Sequence, residues 1–294
     1  MRAVVVLLAL LSAFCMGLGI VVRQRATMQI PAEQSLSATM FKTLVRTPRW
    51  WAGTGLAVLG FVFHALALVR GSLLLVQPIL VSALLFALPV GAWLAHRRVT
   101  AVEWAWAVAL TAALTVFILL THTKPGHYRS PVESWSIATV LLLPMAAVCV
   151  LVAARTAGRW RAVLLAAPVG IMFGTIAVLI KISMHRLTVG GLGSMLSVPA
   201  PYLLVVLAIG GTVLQQSAFH AGALQVSVPT TVVLEPIVAV LLAVIVLGEN
   251  LRVSSIAATC LAVATAVMIA ATVALARSEG AHEEELLASA SETS

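Results

Sequence analysis

Apolar residues fall in nine long runs, at roughly 3–22, 50–69, 72–95, 104–121, 135–154, 162–184, 201–221, 224–247 and 253–276, separated by polar junctions. Each is close to the ~20 residues that a helix needs to cross ~30 Å of hydrocarbon. Inside a bilayer no water is present to bond backbone N–H and C=O groups, so runs of this length predict helices. The pattern is that of an all-α polytopic membrane protein with about nine transmembrane helices. Two further segments are shorter or more polar. Residues 30–47 carry Glu33, Gln34, Lys42 and Arg46, and read as an interfacial helix or loop. Residues 186–198 contain Gly190, Gly191 and Gly193, and read as a loop or broken helix. If these segments also spanned, the count would rise to ten or eleven. From Arg277 onward the chain is rich in Glu and Ser, which predicts a disordered acidic tail over 277–294.

The runs contain an internal echo. Phe63-His64-Ala65-Leu66-Ala67-Leu68 returns as Phe219-His220-Ala221-Gly222-Ala223-Leu224, a spacing of 156 residues (220 − 64). Shortly after each copy, Val76-Gln77-Pro78-Ile79 is matched by Leu234-Glu235-Pro236-Ile237, at 158 (235 − 77). The nine runs then parse as four, one and four. This gives a first repeat over 1–121, a linker with a single span over 122–161 and a second repeat over 162–276. Halves separated by an odd number of spans insert with opposite orientation, so the repeats are expected to be inverted, an arrangement typical of transporters. With eleven spans they would be parallel instead.

Composition agrees with this picture. Hydrophobic residues make up 61% of the 294 residues and charged residues 10%, against roughly 25% charged in a soluble domain; the mean hydropathy is +1.08. The net charge of +8 resides in short junctions and forms no basic face, which argues against nucleic acid as a partner. One side of the bilayer would hold Arg23, Arg25, Lys42, Arg46, Arg49, Arg97, Arg98, Arg155, Arg159, Arg161 and Arg277. The other would hold Arg2, Arg70, Lys124, Arg129, Arg186 and Arg252. The positive-inside rule then places the amino terminus outside and the carboxyl tail in the cytoplasm of a multi-pass cell-membrane protein. The first run lacks a small-residue cleavage site and reads as a retained helix. Cys15, Cys149 and Cys260 lie inside apolar runs, at spacings that fit neither a disulfide framework nor a zinc site. Trp50, Trp51, Trp104, Trp106, Trp135 and Trp160 sit near run ends as interfacial anchors.

Within the runs, a few polar residues carry the chemistry. Glu235 lies halfway along 224–247, where a carboxylate must be protonated, paired or facing a wet cavity. Ser227, Thr231 and Glu235 recur every four residues and share a helix face, and Pro236 removes a backbone donor beside them. Lys181 ends the sixth run. It can snorkel to the interface, pair with Glu235 or hold an anionic substrate. His64 and His220 occupy matching places, with Gln215, Gln216 and Gln77 nearby in the repeat; Gln77 stands where Glu235 stands in the other half. Gly53, Ala57, Gly60 and His64 line one helix face, Gly211, Gln215, Ala218 and Gly222 a comparable one, and Gly170 with Gly174 has the spacing that lets helices approach closely. No nucleophile–base pair, Walker loop or metal-ligand cluster stands out, so neither an enzyme nor a cofactor is expected.

Leu234-Glu235-Pro236-Ile237 followed by Val246-Leu247-Gly248-Glu249 resembles the E-P…L-G-E pattern in the second half of drug/metabolite transporter (EamA-like) proteins. The layout is similar to the NIPA-like branch, associated with magnesium transport. The likeness lies in Arg49-Trp50-Trp51-Ala52-Gly53 opening a span, the lone middle helix, Lys181 closing the sixth run, and Gln215-Gln216 ahead of Phe219-His220. The resemblance covers roughly 3–276 and implies a ten-span or reduced nine-span inverted repeat that moves small solutes without ATP hydrolysis. The chain departs from it at Val90-Gly91-Ala92-Trp93, where the first half has no glutamate. Magnesium favours carboxylate and water oxygens, and mid-membrane only Glu235 supplies one. The expectation is therefore a secondary-active or facilitative carrier of a small polar or amphiphilic solute. Glu235, Lys181, His220, Gln216, Gln215, His64, Gln77 and Thr231 would form its substrate and coupling site. A divalent-cation transporter and a non-transporting scaffold or lipid-handling subunit are the alternatives. The partners are the bilayer and a small molecule or ion; monomer and homodimer both stay open.

Overall fold

The computed structural model describes residues 2–28, 46–94, 98–121, 123–124, 132–220, 224–251 and 255–292. Among these, ten helices form: α1 (Arg2–Met28), α2 (Pro48–Arg70), α3 (Leu73–Leu80), α4 (Ala83–Leu94), α5 (Ala101–Leu120), α6 (Val132–Ala153), α7 (Gly158–Leu196), α8 (Ala200–His220), α9 (Leu224–Ile245) and α10 (Ser255–Glu292). Two-residue strands, β1 (Thr123–Lys124) and β2 (Asn250–Leu251), pair antiparallel. Seven stretches, one of them the α3–α4 pair taken together, are long and apolar enough to cross a membrane, while α6 and α8 contribute shorter apolar stretches over Val140–Ala153 and Ala200–Gln215. This is the architecture of a multi-pass membrane protein.

Local sequence explains where the helices start. Pro48 opens α2, where a missing N–H costs nothing. Ser72 caps α3 by accepting from Leu74 N at 3.1 Å. Thr100 and Glu103 form a reciprocal capping box on α5, with Thr100 N donating to Glu103 Oε2 at 2.7 Å and Glu103 N to Thr100 Oγ1 at 3.2 Å.

Every expected run falls on helix, and three places refine the pattern. The run at 72–95 is broken into α3 and α4 by a turn at Val81–Ser82, three residues after Pro78. The segment 186–198 is no separate span: α7 carries on as helix until Gly191, whose φ of +69° breaks it. From Gly158 to Gly190 that is about 50 Å at 1.5 Å per residue, well over the hydrocarbon thickness. The acidic stretch after Arg277 continues α10 to Glu292 instead of forming the expected disordered tail. Most of 30–47 lies outside the described residues.

Small residues set the helix spacing. A Cβ on Gly19 of α1 would come within 2.9 Å of Gly53 O and Ala57 N on α2. Ser12 Oγ donates to Gly60 O at 2.8 Å across the same seam. The Gly53–Ala57–Gly60 stripe is thus a packing surface for α1. Likewise, a Cβ on Gly170 of α7 would lie 2.6 Å from Leu234 Cβ, and one on Gly174 2.6 Å from Glu235 O, both on α9. Gly211 of α8 meets the Phe173 ring of α7 in the same manner. Around these seams one core joins α1, α2, α3, α7 and α9, while a second joins α4, α5 and α10. Large apolar side chains such as Val58, Leu119, Val206 and Ile256 point outward, as a lipid-facing surface requires. Trp51, Trp104 and Trp160 are exposed near helix ends, as interfacial anchors; the side chain of Trp135 is outside the described set.

Polar contacts gather the helix ends into two groups. At one end, Arg2 donates to Ile118 O near the end of α5, and β1 pairs with β2 beside the end of α9. At the other, Ser278 of α10 donates to the buried Glu103 carboxylate at the start of α5. Gly170→Leu is expected to destabilise the folded protein in detergent by about 1–3 kcal/mol through overpacking of the α7–α9 seam. Gly193→Ala, where an added Cβ meets nothing within 4 Å, is expected to melt like the wild type.

Candidate functional site

The most tightly organised polar group in the described structure centres on Glu249, just beyond α9. Leu247 is buried, Gly248 takes φ +63° to reverse the chain, and Glu249 N closes the turn on Ala243 O at 3.0 Å. The reversal turns the Glu249 carboxylate into the bundle, where it is fully buried. Only glycine adopts that φ without strain, so the L-G-E pattern of the sequence is explained residue by residue as a device for burying a carboxylate.

That carboxylate has compensation from two helices. Lys181 of α7, itself 1% exposed, forms an ion pair with Glu249 Oε1 and donates to Gly71 O at 2.8 Å. On α3, Ser72 Oγ donates to Oε2 at 2.5 Å, Leu74 N to Oε2 at 3.1 Å and Leu73 N to Oε1 at 3.2 Å. The first N–H groups of a helix lack intrahelical acceptors and carry a partial positive charge. Glu249 therefore satisfies the start of α3 while Lys181 neutralises it. Lys181 was expected to snorkel, to hold substrate or to pair with Glu235; instead it is buried and paired with Glu249. The sequence reading treated Glu249 only as part of a motif and passed over Ser72 and Gly71. The glycine before Glu249 was the available signal, because a chain reversal can aim the next side chain back inward.

The other expected site residues are dispersed. Glu235 is half-buried on the α9 face that meets Gly170 and Gly174, and it makes no hydrogen bond or ion pair with the described residues. Thr231, one turn earlier, spends its hydroxyl on Ser227 O at 3.2 Å and Ala166 O at 3.4 Å. Among the described residues, Gln77, 1% exposed on α3, finds no partner for its Nε2, and His64, buried on α2 with its ring edge-on to Phe61, finds none for its Nε2. Gln215 is half-buried on α8. The side chains of Gln216 and His220 lie outside the described residues.

A cavity of about 270 Å³ opens where α3 crosses α9. Leu74, Pro78 and Val81 form one wall, Phe117 of α5 another, Val232, Val233, Pro236, Ile237, Val240 and Leu241 of α9 a third; Leu261, Thr265, Met268, Ile269 and Thr272 of α10 complete it. Pro78 and Pro236, the matching prolines of the sequence repeat, thus face one space. Its lining is apolar apart from two threonines and contains neither Glu235 nor Gln77. A second apolar hollow lies between α6, α7 and α8, lined by residues such as Leu143, Met172 and Leu203.

Removing one partner of a buried ion pair leaves an uncompensated charge, at about 3–5 kcal/mol. Lys181→Met is expected to lower stability by that order, read as a shift in the thermal melting of the purified protein. Adding Glu249→Gln to it is expected to recover part of the loss, since the uncompensated charge is gone and an amide oxygen still accepts from the start of α3. Equal melting of the single and double variants would contradict the pairing.

No protein-family model matches the chain, nor does any solved structure. An uncharacterized protein of Corynebacterium glutamicum is 36% identical over 274 residues, spanning 92% of this chain and 94% of the relative. A match of that depth over nearly the full length of both proteins places them together: the chain belongs to the same family as this uncharacterized corynebacterial protein.

Proposed function

We propose that the chain is a secondary-active or facilitative transporter of the drug/metabolite type. It moves a small solute by alternating access around the crossing of α3 and α9. The observation that carries this reading is the cavity between two proline-containing spans, with Pro78 and Pro236 facing it from opposite halves of the sequence repeat. Discontinuous helices meeting at the interface of two repeats are the recurrent setting of carrier binding sites. The turn at Val81–Ser82 divides one of these spans outright.

Connectivity supports nine crossings in an inverted arrangement. Arg2, the α2–α3 junction, β1, β2 and Glu249 gather at one end of the bundle, and Thr100, Glu103 and Ser278 at the other. An alternating path through the described helices, with α3 and α4 counted as one span, meets these constraints with α1 starting at the first end and α10 finishing at the second. The first end carries fewer basic residues in sequence, so the amino terminus faces outward and the carboxyl end the cytoplasm. The apolar cavity disfavours a hydrated divalent cation, which would need carboxylate and water oxygens.

Glu235 is the coupling residue in this reading: a half-buried acid beside Pro236 on α9, with no partner among the described residues. In proteoliposomes screened against a panel of radiolabelled small metabolites, the wild type is expected to accumulate at least one solute above empty vesicles. Glu235→Gln is expected to cut that uptake by about tenfold or more while melting normally, as for an intramembrane acid with a functional role. Unchanged uptake would remove Glu235 from the mechanism. A wild type that moves nothing in the panel would favour the scaffold alternative.

A further inference from the structure

Thr272 of α10 is 3% exposed, lines the α3–α9 cavity and makes no hydrogen bond with the described residues. Its neighbour in the lining, Thr265, follows the ordinary intrahelical habit and donates to Leu261 O at 2.8 Å. A hydroxyl on so buried a residue, open to the cavity and without a partner among the described residues, gains from a bond to whatever occupies that space. Two residues of the same lining have backbone carbonyls that lack their usual helical donor. Proline has no N–H, so residues 78 and 236 cannot donate to the carbonyls four residues earlier. Those carbonyls belong to Leu74 and Val232, and both residues line the cavity.

The remaining walls are aliphatic or aromatic, and no ionisable side chain lines the space. A charged group there would lose its hydration without compensation. The rim reaches the outer surface between α9 and α10, where Leu241 and Ile269 are 49% and 37% exposed. A molecule dissolved in the bilayer can enter by that side. A lipid tail would fill the apolar volume but leave the Thr272 hydroxyl unbonded.

We propose that this cavity binds a neutral amphiphile: a compact hydrocarbon or aromatic body with one hydroxyl or amide head that bonds Thr272 Oγ1. The proposal rests on the carrier reading for its purpose but not for its chemistry. It narrows the substrate class to uncharged molecules that carry one hydrogen-bonding head and partition into membranes, and excludes hydrophilic ions.

Melting of the purified full chain in detergent with 2-phenylethanol, ethylbenzene or phenylacetate tests it, because a ligand raises the melting temperature by mass action. The wild type is expected to be stabilised in a dose-dependent way by 2-phenylethanol and not by phenylacetate. Thr272→Val is expected to need about three- to tenfold more 2-phenylethanol for the same shift, the worth of one hydrogen bond, with its weaker response to ethylbenzene unchanged. Val240→Trp, or the milder Val233→Phe if the first does not fold, is expected to abolish the shift by filling the cavity. No shift with 2-phenylethanol, an equal shift in all variants (partition into the micelle), or stabilisation by phenylacetate would overturn the proposal. Binding as described without transport in vesicles would retire the carrier and leave this site standing. Transport of a solute that Val240→Trp does not impair would overturn this site and leave the carrier.

Discussion

A carboxylate can be buried at the end of α9 only if charge and hydrogen bonds meet it there, and the packing around Glu249 follows from that requirement. Lys181 supplies the charge from α7, and the first turn of α3 supplies three donors. Neither partner suffices alone. Without Lys181 the carboxylate is a bare buried charge; without Glu249 the ammonium is one, and the start of α3 loses its acceptor. Buried pairs of this kind contribute little net stability against an apolar replacement. Their effect is to specify which three elements meet.

The element so fixed is unusually short. α3 has eight residues, is held at its start by Glu249 and ends at the turn after Pro78. Leu74 belongs to both regions: its N–H bonds Glu249, and its carbonyl, deprived of a donor by Pro78, belongs to a residue lining the cavity. The ion pair and the cavity are therefore separated by a single peptide group's worth of chain. Gly170 and Gly174 let α7, the helix that also carries Lys181, approach α9 to backbone contact.

Hydropathy made most of the bundle legible, because in a bilayer the length of an apolar run is itself the structural constraint. The prolines and small-residue stripes also announced their roles. What failed was whatever depends on partners distant in sequence. Lys181 and Glu249 are 68 residues apart, and nothing local in either segment names the other, so Lys181 was offered Glu235 as the sole mid-membrane acid. After Arg277, α10 continues as helix to Glu292, and the Ser278–Glu103 bond ties its first residues beyond the apolar part to α5. Gly190, Gly191 and Gly193 read as a loop or broken helix, and the helix is broken at Gly191 alone, since Gly190 keeps helical geometry. The expected polar site is dispersed for a related reason. The repeat places prolines symmetrically, and it is the prolines that face the cavity, while Gln77 and Glu235 beside them lie outside its lining.

A carrier must expose its central cavity to each side of the membrane in turn, and a scaffold need not. The direct measurement is labelling of Thr272→Cys, in a chain with Cys15, Cys149 and Cys260 replaced, by a small membrane-impermeant thiol reagent. It is carried out separately on right-side-out and inside-out vesicles. Labelling from both sides, suppressed by filling the cavity with Val240→Trp, is the result that alternating access predicts. Labelling from neither side, or from one side only, would contradict it.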